Sequence, residues 1–124
     1  MKEKIKKIAE VSCGPFIREI PQGKFYYLQI RDFDKENNKF LLSQPTIDIK
    51  DCPKHHLLNN GDIIFAARGI YNFSVVYKQG NNIALASSAF LVIRIKDKEL
   101  VNPDYLCWYL NRDKSKAALQ ARAY

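Results

Sequence analysis

Apolar residues in this chain come in short bursts separated by turn-forming residues, which is the rhythm of strands. Lys24 to Ile30 is rich in aromatic and β-branched side chains and predicts a strand. Asp32 to Lys39 is polar and carries Asn37-Asn38, a turn signal. Phe40 to Ile49 is mixed, and Pro45 argues against a central strand there. Asp51 to His56 reads as a loop around Pro53, and Asn59-Asn60-Gly61 as a turn. Ile63 to Ala67 is apolar without a break and predicts a strand buried on both faces. Phe73 to Lys78 and Ile83 to Ala86 predict a hairpin closed by Gln79-Gly80-Asn81-Asn82. Phe90 to Ile95, interrupted only by Arg94, predicts a central strand.

The last stretch changes period. Asn102 can cap a helix, Pro103 suits its first position, and Asp104 meets the positive end of its dipole. Leu106, Tyr109, Leu110 and Ala117 mark one helical face, with Arg112, Lys114 and Lys116 over much of the remainder. These elements predict an α+β fold: mostly β-strands in a mixed, barrel-like sheet with a C-terminal helix. The length, 124 residues, fits one domain over 1–124, and no internal repeat or linker divides it.

Composition narrows the function classes. The net charge is +7, spread along the chain, and a folded basic surface attracts polyanions through counterion release. No apolar run is long enough for a membrane-spanning helix, and the basic start lacks the apolar core of a signal peptide, so a cytoplasmic protein without a membrane partner is expected. Cys13, Cys52 and Cys107 are odd in number and widely spaced, which predicts reduced thiols and no disulfide framework.

Candidate chemistry is sparse. Cys52, His55 and His56 form a C-x-x-H-H cluster, but a closed zinc site needs a fourth ligand and a nucleophilic pair needs an orienting group. No glycine loop with phosphate-binding spacing is present, and no methyltransferase cofactor motif. The expectation is therefore a protein without catalytic role, metal or cofactor. Polar and basic loops remain. Arg31, Lys35, Asn37, Asn38 and Lys39 surround one turn; Arg68 and Asn72 flank Gly69 and Tyr71; Lys78, Asn81 and Asn82 lie at a second tip. Arginine can pair with guanine and asparagine with adenine in the major groove, while lysine positions a protein on phosphates. Turns also favour these same residues for their own geometry.

One ordered set of segments goes further. Leu58-Asn59-Asn60-Gly61-Asp62-Ile63 begins a strand that ends near Arg68-Gly69. A second strand runs from Ser88 to Ile95 and includes Ile93-Arg94; Pro103-Asp104-Tyr105-Leu106 then opens the helix. Upstream stand Ile8-Ala9-Glu10-Val11 with Gly14, and Tyr27-Leu28-Gln29-Ile30-Arg31-Asp32-Phe33. The set resembles the target recognition domain of the specificity subunit of Type I restriction–modification systems. The resemblance implies a non-catalytic module that reads one half of a split double-stranded DNA target. Its implied partners are modification (methyltransferase) subunits, which carry S-adenosylmethionine, and a restriction subunit. A complete specificity subunit has two such domains joined by long helices, so this chain is expected to be a single domain, a truncated product or a half-subunit. The competing expectation is a protein-interaction module that docks a partner on the Tyr105 to Leu119 helix; a weaker third is a cysteine- or metal-dependent enzyme.

Overall fold

The computed structural model describes residues 7–42, 44–48, 56–66, 73–78 and 83–112. Its frame is a four-stranded antiparallel sheet of β1 (Ala9–Cys13), β5 (Ile63–Ala66), β6 (Ser74–Val76) and β8 (Phe90–Ile95), in the order β1-β8-β5-β6. The remaining strands are β2 (Tyr26–Leu28), β3 (Phe33–Asp34), β4 (Lys39–Phe40) and β7 (Ala84–Ala86). β2 pairs with β7 in parallel, and β3 with β4 as a hairpin. One helix, α1 (Pro103–Leu110), follows the sheet.

The central strands are apolar on both faces because two cores share them. Ile63, Phe65, Leu91, Ile93 and Ile95 point to one side, against Leu106, Cys107 and Leu110 of α1. Ile64, Ala66, Phe90 and Val92 point to the other, against Leu28, Phe73, Ala84 and Ala86. Alternation along a strand produces this division, since successive side chains leave opposite faces. The double burial expected of Ile63 onward and the central place expected of Phe90 to Ile95 are both present.

The mostly-β, α+β composition with a C-terminal helix holds, but among the described residues the strands do not close into a barrel. Among the described residues parallel pairing is confined to the β2–β7 pair, so the main sheet is not mixed. Where closure would need another strand beside β6, the Asn111 side chain sits instead. The Ser74 amide donates to Asn111 Oδ1 at 2.8 Å, and Asn111 Nδ2 donates to the Ser74 carbonyl at 3.1 Å. A side-chain amide thus completes the ladder and ties the end of α1 to the sheet.

The predicted Phe73–Ala86 hairpin is also corrected. β6 pairs with β5, through Ile63↔Val76 and Ile64↔Val75, while β7 pairs with β2. Both segments are buried, and β6 pairs with the strand before it in sequence, whereas β7 reaches back to the distant β2. β1, which carries no strong local signal, pairs along five residues with β8. At the end of β1, a Cβ on Gly14 would lie 2.1 Å from the Ser87 carbonyl oxygen, so this close approach requires glycine. The helix starts as expected: Asn102 Oδ1 accepts from the Asp104 and Tyr105 amides, with Pro103 at the first position. Ala117, Lys114 and Lys116 lie outside the described residues.

Candidate nucleic-acid interface

The β3–β4 hairpin places the first cluster of polar residues. Phe33 stacks on Phe73 with centroids 3.9 Å apart, and Phe40 meets Phe90 edge-on at 5.7 Å. These rings root the hairpin in the second core, and its tip carries Lys35, Asn37, Asn38 and Lys39 outward, all exposed. Inside the turn, Asp34 accepts from the Glu36 amide and from Asn37 Nδ2 at 2.6 Å. The Asn37 hydrogen bond holds the Asp34 carboxyl below its usual range. Asn38 sits at φ 54°, the left-handed region that asparagine tolerates better than most residues.

Next to this tip lies a groove of about 760 Å³. It is lined by Asn38, Lys39 and Phe40 of the hairpin, by Val76, Tyr77 and Lys78 at the end of β6, and by Asp104, Cys107 and Trp108 of α1. Asn38, Lys39 and Lys78, singled out from two separate loops, are therefore brought together. Trp108 is 60% exposed and was not anticipated. Its signal was its helical position: Leu106 and Leu110 define the buried face, and Tyr105 and Trp108 fall off it. Burial pushes the Cys107 thiol up to about 11, with Asp104 adding to the effect, so Cys107 is an unreactive wall of the groove.

Arg31 is placed elsewhere. Arg31 is exposed but engaged, with Nη2 2.8 Å from Glu19 Oε1, and it is not part of the groove lining. Glu19 is held below the usual carboxylate range, first by a hydrogen bond from Thr46, which desolvation opposes, and then by Arg31 and Gln29. Arg68, Asn72, Asn81 and Asn82 lie outside the described residues, as do Cys52 and His55; His56 is half-buried. Among the described residues no three histidine, cysteine or acidic side chains are grouped to hold a metal ion. Nor is any described helix long and apolar enough to cross a membrane.

The motif residues have a different role. Asp62 is fully buried, and Arg94 donates to it twice, from Nε to Oδ1 at 3.1 Å and from Nη2 to Oδ2 at 2.8 Å. Arg94 Nη2 also donates to the Leu57 carbonyl at 2.7 Å, and the Asn59 amide donates to Asp62 Oδ2 at 2.8 Å. Arg94 is held still more firmly as a cation, chiefly by the Asp62 hydrogen bonds. Gly61, at φ 91°, makes the turn that brings Asp62 inward, and Lys98 Nζ donates to the Asn60 carbonyl beside it. The Leu58–Ile63 and Ile93-Arg94 segments are thus parts of one internal lock.

Neither the protein-family models nor the curated proteins include a match to this chain. The functional reading therefore rests on the residues themselves.

Proposed function

We propose that this chain is a DNA target recognition domain of the kind found in Type I restriction–modification specificity subunits. It reads one half of a split duplex target and has no catalytic role of its own. Modification and restriction subunits supply the chemistry, and the reading implies a cytoplasmic protein. The observation that carries it is the convergence of Asn38, Lys39 and Lys78 on one groove of a chain with net charge +7. Lysines there can neutralise phosphates, and Asn38 offers both a donor and an acceptor to a base edge. The ordered motifs add support, because their Asp62 and Arg94 side chains meet in a buried pair and so form one frame.

The test is duplex titration at two salt concentrations. Affinity should fall steeply as salt rises, with a slope of roughly 0.9 per phosphate contact in log–log form. A salt-independent or absent interaction refutes the reading. The second reading, a protein-interaction module, rests on exposed Tyr105 and Trp108 along α1. It predicts no salt-dependent duplex binding, so the same titration separates the two.

A further inference from the structure

We infer that the groove beside α1 takes one unpaired nucleobase of a bound DNA strand, stacked on the Trp108 indole, with the flanking phosphates at Lys39 and Lys78. This rests on the DNA reading above and deepens it: Lys39 and Lys78 hold phosphates of the bound duplex, and the space beside the indole takes one base that has left it. Three observations carry it. The groove has the size of a small-molecule site, about 760 Å³, against the 300–1,000 Å³ typical of such clefts. Part of the lining is an exposed indole; the Arg112 guanidinium lies over its ring, 5.9 Å from the centroid, and Tyr105 is tilted against it at 5.9 Å, so a base needs the ring surface that Arg112 leaves open. Contacts with Arg112 and Tyr105 steady the ring, which lowers the entropy cost of stacking.

The third observation is charge. The charged groups among the described lining residues are Lys39, Lys78 and Asp104, two cations against one anion. Asp104 belongs to the first turn of α1, where the helix dipole favours it. The Asn111 amide is occupied by Ser74, which leaves Asn38, among the described lining residues, as the amide able to meet a base edge. An aromatic wall with cations and a free amide suits a nucleotide, which pairs a flat base with phosphate. A purely acidic ligand would use the lysines and leave the indole idle.

Trp108 is the only tryptophan in the chain, so its fluorescence reports the groove directly. The full chain is titrated with a paired duplex, the same duplex carrying one bulged adenine, a short oligo-dA strand and a polyglutamate peptide. The bulged duplex should bind about 5- to 10-fold more tightly than the paired one, the lower end of base–aromatic stacking. It and oligo-dA should quench Trp108 more strongly than the paired duplex does. Trp108→Ala should abolish the preference for the bulge, and Trp108→Phe should keep most of it; circular dichroism verifies that both variants fold. Equal affinity for the two duplexes overturns the inference, as does equal quenching by polyglutamate. If paired DNA binds with steep salt dependence but the bulge brings no gain, the groove assignment falls and the recognition-domain reading stands. If oligo-dA quenches Trp108 while paired DNA fails to bind, the reverse holds.

Discussion

Arg94→Ala should destabilise the frame without touching recognition. The substitution removes two donors to Asp62, at 3.1 and 2.8 Å, and one to the Leu57 carbonyl at 2.7 Å. Asp62 stays fully buried, with the Asn59 amide as a remaining donor. Breaking a buried pair by deleting one member costs about 3–5 kcal/mol, because the surviving charge is uncompensated. The Arg94 side chain is 24% exposed, so water reaches the site and the lower end, about 3 kcal/mol, is expected. That is a large share of the roughly 5–15 kcal/mol that holds a domain together. In urea denaturation, with a slope of about 1–3 kcal/mol per molar, the midpoint should fall by about 1–3 M. A double-mutant cycle with Asp62→Asn should give a coupling energy above about 1.5 kcal/mol. Under conditions where Arg94→Ala remains folded, any base preference should be unchanged. A loss below about 1 kcal/mol, or additive single variants, would refute the lock; a relaxed base preference at wild-type stability would make Arg94 a DNA contact instead.

Four further outcomes are expected. Lys39→Ala and Lys78→Ala should weaken all duplexes alike and reduce the salt slope by about 0.9 each; a sequence-selective loss measured by competition would contradict phosphate contact. Arg68→Ala should cost about 1–3 kcal/mol of DNA binding and relax preference at one base position, whereas a lower melting temperature with preference intact would show an internal ion pair. Ser74 Oγ is buried and has no hydrogen-bond partner among the described residues, so Ser74→Ala should stabilise by ~1 kcal/mol in urea melts, and a loss of stability would reveal a partner. Cys107 is raised above its ordinary 9.0 to about 11, so the unfolded thiol ionises first and stability should decline as pH rises from about 9 to 11. Tyr27 and Tyr77, both raised by desolvation, act in the same direction at higher pH. The comparison is therefore between wild type and Cys107→Ala, whose urea midpoint should depend less on pH; identical pH dependence would exclude the thiol.

Local signals in the sequence reach some of this architecture. β5 and β8 announce themselves because a strand buried on both faces is apolar at every step, and α1 because Asn102 and Pro103 are chemically suited to start it. β1 was missed although Ala9-Glu10-Val11-Ser12 alternates, because its buried Ala9 and half-buried Val11 carry little hydrophobic weight. The Phe73–Ala86 hairpin failed for a different reason. Nearness in sequence suggested the pairing, but strand partners are chosen by which buried edges remain open, and β7 finds its partner in β2. Periodicity is equally blind to Asp62 and Arg94, 32 residues apart, where the arginine looked like an interruption. At the groove, turn chemistry exposed Asn38, Lys39 and Lys78 to view, whereas Trp108 required knowing which helical face was already covered.

The Asn111 amide on β6 has a bearing on how this protein behaves in a crowded solution. A strand end with unpaired N–H and C=O groups is a template on which another extended chain can grow. Asn111 occupies that template at Ser74 with one donor and one acceptor, the complement a foreign strand would bring. Because the amide is carried by the residue that ends α1, the protection lasts only while the helix is docked. Fraying of that last turn would uncover the strand. Asn111→Ala should therefore show itself less as a lower melting point than as concentration-dependent turbidity below it, a colloidal fault produced by the loss of one polar side chain.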